Sequence, residues 1–130
     1  MIIGVGIDII EIERIKKSIE KFGDIFVKKI FTKTEIEYCE SKKNKYQHYA
    51  ARFAAKEAII KAFSISKLYG FSWQDMEIYN EKDGTPKTNI YGKMGDFLGD
   101  DKGLQISLSH SDNYVVSYAV LYNKLNSTIL

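Results

Sequence analysis

Cysteine is almost absent from this sequence: Cys39 is the only one in 130 residues. A single thiol cannot close an intrachain disulfide, so nothing points to an oxidising compartment. No histidine or acidic partner is suggested near it, and Cys39 therefore reads as a thiol on a helix rather than a nucleophile. Proline is equally scarce, with Pro86 alone, and the nine glycines follow no period. Collagenous, low-complexity and disordered classes are thereby excluded. No apolar run approaches the length of a membrane span. The apolar start, "MIIGVGIDII", lacks the basic residues that open a signal peptide and is broken by Asp8. The expected location is the cytoplasm, with neither a membrane nor a nucleic acid as partner.

What is present fits one soluble domain, since 45% of residues are hydrophobic and 28% charged. The net charge of +2 hides an asymmetry. Residues 1–67 carry 14 Lys/Arg against 9 Asp/Glu, or +5, and residues 68–130 carry 5 against 8, or −3. A basic first half suits either a solvated helical surface or an acidic or phosphorylated partner.

"IIGVGIDII" reads as a buried strand with Ile3, Val5 and Ile7 on one face and Gly4, Gly6 and Asp8 on the other. The third glycine of a dinucleotide-binding turn is missing, so the glycines point instead to something approaching the backbone beside Asp8. In "EIERIKKSIEKFG", Ile12, Ile15, Ile19 and Phe22 form one helical stripe, and Arg14, Lys16, Lys17 and Lys21 lie off it. Thr32 and Glu35 have the spacing of a capping box. A long helix is expected from about Tyr46 to Phe63. Beyond it, "MEIYN", "TNIY", "LQISLSH" and "YVVSYAVLY" read as strands, with "EKDGTPK" as a turn and "GKMGDFLGDDKG" as a short helix or loop. Helices and strands segregate along the chain. The expected class is α+β, a small, mostly antiparallel sheet packed against helices.

The segment "FAAKEAIIKAF", residues 53–63, is apolar almost all round yet holds Lys56, Glu57 and Lys61. With Phe53 at zero and about 100° per residue, Glu57 and Lys61 fall near 40° and 80°, and Arg52 and Lys56 near 260° and 300°. Two narrow polar strips result, with no wide solvated face. An ordinary Glu–Lys pair is one account. The other is a pocket in which a carboxylate binds a metal and cations bind phosphate. Asp8 supplies a second carboxylate in an apolar strand, "SLSHS" ends another strand with His110, and "KDGTPK" could edge a ligand. Mg²⁺ commonly takes one or two protein carboxylates and completes its shell with water and phosphate oxygens. Spacing alone cannot pair Asp8 with Glu57.

"GIDIIEIERI" (6–15), "RFAAKEAIIKAF" (52–63) and "ISLSHS" (106–111) resemble the holo-acyl-carrier-protein synthases of the 4'-phosphopantetheinyl transferase superfamily, in order and over essentially the whole chain. The resemblance implies a single domain over residues 1–130 that moves 4'-phosphopantetheine from coenzyme A to a serine of apo acyl carrier protein, in support of fatty acid biosynthesis. It implies Mg²⁺ held by Asp8 and Glu57, and catalysis by Glu57 and Lys61. Coenzyme A would be bound by Arg52, Lys56, Lys61, Asp83, Gly84, Pro86, His110 and Ser111. It also implies a homotrimer with active sites between subunits. The carrier of this family is acidic, so Arg14, Lys16, Lys17 and Lys21 are expected to dock it. Glu57 is the first choice of general base and His110 the second. Relatives carry a glycine-rich loop after the long helix; here it reads "SISKLYGF", residues 64–71, with Gly70 its only glycine. Thr85 stands where relatives often have lysine. Two other readings stay open on the residues alone: a different Mg²⁺-dependent, nucleotide-using transferase or hydrolase, and a non-catalytic oligomer that binds acidic proteins.

Overall fold

The structure is a computed structural model that describes residues 1–124. Strand β1 (Ile2–Glu11) leads into helices α1 (Ile12–Phe22), α2 (Asp24–Ile30), α3 (Lys33–Glu40) and α4 (Lys45–Phe63). Strands β2 (Met76–Asn80) and β3 (Pro86–Ile90), helix α5 (Gly92–Leu98), and strands β4 (Lys102–His110) and β5 (Tyr114–Asn123) follow. All pairings are antiparallel. One sheet has the order β1-β5-β4, and β2-β3 forms a separate hairpin. The α+β expectation holds, and the sheet of three strands packs on α4.

Helix α2 was not legible in the residues, because it is two turns long and follows Gly23 directly. The expected capping box is present in both arms: Glu35 N donates to Thr32 Oγ1 and Thr32 N donates to Glu35 Oε1. The long helix begins one residue earlier than expected, at Lys45. After α4 a short 3₁₀ turn (Ser64–Ser66) ends at Lys67, which takes a left-handed φ of 54°. Glycine adopts that conformation more readily, so this chain closes the helix with a lysine where glycine would fit with less strain.

The first strand corrects the expectation that it is buried throughout. Only its glycine face meets the interior, where the glycines admit a close neighbour as the sequence suggested. A Cβ on Gly4 would collide with the Ala62 carbonyl oxygen, and one on Gly6 with that of Ala58. The glycines thus let the backbones of β1 and α4 touch, and Ala58 and Ala62 are the small partners of that contact. Asp8 is next along this face. On the other face Val5, Ile7 and Ile9 stay 49%, 57% and 64% exposed, beside Tyr118, which pairs with Ile7 across β5. The strand is buried on one side only, and an apolar sheet surface is left open.

Two clusters fill the interior. Ile15, Val27, Ile30, Phe31, Cys39 and Tyr49 pack at one end of α4, and Ile59, Phe63, Met76, Ile78, Met94 and Leu121 at the other. Burial pushes the Cys39 thiol up to about 12. A thiol so reluctant to ionise is structural, in agreement with the sequence.

Candidate active site

The close β1–α4 contact brings Asp8, Glu57 and Lys61 together. Lys61 Nζ donates to the Ile7 carbonyl at 2.8 Å and lies 3.4 Å from Asp8 Oδ1. Glu57 is one helical turn before Lys61 and is half-buried. Its carboxyl is held above the ordinary range, first by burial and then by the Asp8 charge, with Lys61 opposing both. A carboxyl whose proton affinity is raised by a neighbouring carboxylate lies in a site short of positive charge, and Lys61 supplies only part of it. The donor set fits Mg²⁺: hard carboxylate oxygens, two in number, beside a lysine suited to phosphate. Among the described residues no three His, Cys, Asp or Glu side chains gather into a metal cage.

A second feature lies on a different face of α4. A groove of about 490 Å³ is lined by Arg52, Asn80, Gly84, Pro86 and His110, and by Tyr38 and His48. Arg52 is 2% exposed. Its Nη2 donates to Asn80 Oδ1 at 2.9 Å, its guanidinium carbon sits 4.1 Å from the Tyr38 ring centroid, and its Nε has no partner among the described residues. None of the lining residues belongs to the Asp8 cluster. Within one chain, therefore, the expected site falls into two halves. Asp8, Glu57 and Lys61 form one, and Arg52, Gly84, Pro86 and His110 the other.

Three expected ligands of coenzyme A have other work. Lys56 is fully buried, and its ammonium donates to Glu35 Oε1 at 2.6 Å, the Ile30 carbonyl at 2.7 Å and the Trp73 carbonyl at 3.2 Å. All three of its donors are used, so none is left over for a phosphate. Asp83 points back into its turn, where Oδ1 accepts from Thr85 N and the carboxyl is held below its usual range by that contact. Ser111 Oγ accepts from Tyr114 N and Asn113 N, closing the β4–β5 turn. Gly84 and Pro86 do line the groove, so the turn contributes backbone and ring rather than a carboxylate.

Tyr38, His48 and Asn80 were missed. His48 lies four residues before Arg52 on one face of α4, a spacing that could have flagged it. Tyr38 and Asn80 come from α3 and the end of β2, and no local pattern marks them. Of the basic residues on α1, Arg14, Lys17 and Lys21 are exposed, whereas Lys16 is half-buried with its ammonium 5.7 Å from the Tyr46 ring centroid.

A cation-poor pair of carboxylates beside a lysine, on an α+β frame with a separate cationic groove, defines an enzyme of the phosphate-ester-transferring kind. Residues 4–119 match the model of the 4'-phosphopantetheinyl transferase superfamily, and the chain belongs to that family. It is 48% identical over 120 residues to a holo-[acyl-carrier-protein] synthase from Ruminiclostridium cellulolyticum, with 89% of each chain covered. It is 41% identical to one from Solibacter usitatus, covering 95% of this chain and all of the other. Among solved structures, a holo-(acyl-carrier-protein) synthase from Bacillus anthracis in complex with CoA (3',5'-ADP) superposes with a TM-score of 0.77 at 33% identity, covering 95% of this chain and 99% of that one. The synthase from Neisseria meningitidis reaches a TM-score of 0.84 at 27% identity, with 95% and 100% covered. Among the described residues, no helix is long and apolar enough to cross a membrane.

Proposed function

We propose that this chain is a holo-acyl-carrier-protein synthase that transfers 4'-phosphopantetheine from coenzyme A to a serine of apo acyl carrier protein and releases adenosine 3',5'-bisphosphate. The observation that carries the reading is the Asp8–Glu57–Lys61 cluster at the β1–α4 contact. Asp8 and Glu57 would hold Mg²⁺, which when bound supplies charge neutralisation on the pyrophosphate. Lys61, fixed by the Ile7 carbonyl, meets the negative charge that grows on the departing phosphate. The serine oxygen forms a bond to the phosphorus that carries pantetheine, and the bond from that phosphorus to the bridging oxygen of the 5'-phosphate breaks. Glu57, directly or through a water, takes the serine proton. The Arg52–His110 groove holds the adenosine end. Its separation from the Asp8 cluster, together with the open face of Val5, Ile7, Ile9 and Tyr118, favours a homotrimer in which one subunit's groove completes its neighbour's cluster. The product carrier serves fatty acid synthesis in the cytoplasm.

The deciding experiment is incubation of the protein with apo carrier, coenzyme A and Mg²⁺, read by the mass of the carrier. A gain of one phosphopantetheine is expected. An unchanged carrier, with coenzyme A intact, overturns the reading.

Docking of the acidic carrier falls to Arg14, Lys17 and Lys21, with Lys16 contributing less because its ammonium is drawn to Tyr46. Reversing charge at Arg14 and Lys17 together is expected to raise the carrier KM roughly tenfold, more at low salt, and to leave the KM for coenzyme A unchanged. Equal carrier KM values for variant and parent would remove α1 from the interface.

A further inference from the structure

Tyr38 gathers cations around its ring. Arg52 lies 4.1 Å and Lys42 4.8 Å from the centroid, and the His48 ring meets it edge-on at 5.4 Å. His48, Arg52 and Tyr38 open onto one groove, and His110 faces them from the end of β4. The charged groups acting on His48 are Arg52 on its own helix, Lys42 on the α3–α4 connector and His110 on β4; no carboxylate is among them. Arg52 is buried, and its Nε has no partner among the described residues. A buried N–H without an acceptor, in a pocket of like charge, is costly unless a ligand supplies the missing anion.

Coenzyme A carries two kinds of phosphate, a diphosphate bridge and a monoester on the ribose. The diphosphate belongs with Asp8, Glu57 and Lys61. We propose that His48 is a specificity-determining residue of the groove, where with Arg52 and His110 it binds the ribose phosphate monoester and so distinguishes coenzyme A from its dephosphorylated form. This inference rests on the coenzyme A reading above. His48 suits the role because its charge is conditional. In the free groove, burial first and then the Arg52, Lys42 and His110 charges pull its pKa down, which keeps it neutral. A monoester dianion beside it favours the imidazolium and draws the pKa up. Binding then takes up a proton, and affinity falls as pH rises through the pKa of the bound state. Below about pH 6 the monoester itself gains a proton, and the advantage fades.

The test is calorimetric titration of the full chain with coenzyme A and with 3'-dephospho-coenzyme A between pH 6 and 8.5. For His48→Phe, which keeps the edge contact with Tyr38, affinity for coenzyme A is expected to drop about tenfold, with that for the dephospho form unchanged. Much of the pH slope should vanish with it. His48→Lys should restore affinity but not the slope. An equal loss on both ligands, or no loss on coenzyme A, overturns the inference while leaving the transferase reading standing. Failure of the parent protein to bind either ligand would instead bring down that reading and this inference together.

Discussion

Replacement of Glu57 by Gln is expected to lower kcat for carrier modification by about a thousandfold or more, because on the proposed mechanism one substitution removes both a general base and an anionic ligand. The amide is isosteric, so packing at the β1–α4 contact is kept. Stability should not suffer. The Glu57 carboxyl is raised by burial and by Asp8, so the folded chain binds its proton more tightly than the unfolded chain does. Ionisation of Glu57 therefore costs stability above the unfolded pKa, and a neutral amide escapes that cost. A melting temperature equal to or above the parent's, with activity gone, is the expected pair of readings. In the parent, kcat/KM should fall as falling pH protonates Glu57. A Glu57→Gln enzyme that retains near-parental kcat would remove Glu57 as base and as ligand. The same variant tests whether the site is shared between subunits. Inactive Glu57→Gln chains assembled with inactive Arg52→Met chains should regain about a quarter of parental activity, the share of sites receiving both intact halves by random assembly. Mixtures that stay inactive would place both halves in one subunit.

Lys56→Ala is expected to destabilise the fold by about 3–5 kcal/mol, since it strands the buried Glu35 carboxylate without its counter-charge. In a domain of this size the loss should appear as a fall of roughly 10 °C or more in Tm. Glu35 and Lys56 are both fully buried and 2.6 Å apart, and burial pulls the lysine's pKa down while the carboxylate opposes it. Their contacts join four parts of the chain. Glu35 accepts from Thr32 N and Ile78 N, and Lys56 donates to the Ile30 and Trp73 carbonyls. Adding Glu35→Gln to a Lys56→Met chain should recover part of the loss, because no charge is then left buried, though a single amide oxygen cannot serve both backbone donors. Thermal unfolding of the parent, Lys56→Met, Glu35→Gln and the double variant measures the coupling. Lys56→Ala with a parental melting temperature but a raised KM for coenzyme A would return Lys56 to the substrate site.

Local patterns carried most of the fold. The 3.6-residue stripe of Ile12, Ile15 and Ile19 marks α1, the Thr32–Glu35 spacing marks the start of α3, and alternation with turn residues marks β2 to β5. Each depends on neighbours within a few residues, which a sequence displays directly. The helix carrying Glu57 and Lys61 was legible for the same reason, as was the oddity of its charges. Which charge does what was not. Lys56 and Lys61 are both lysines five residues apart on one helix, yet one ends among three protein acceptors and the other reaches the surface beside Asp8. That difference is made by Glu35 and Asp8, 21 and 53 residues away. The sequence by itself determined the α+β class, the long helix and the candidate residues Asp8, Glu57, Lys61 and Arg52. Only the tertiary structure decided that Gly4 and Gly6 admit α4, that Asp8 and Glu57 share one site, and that Arg52 with Tyr38 and His48 opens onto another. Burial and pairing between distant segments are set by where backbones pack, and periodicity carries no record of that.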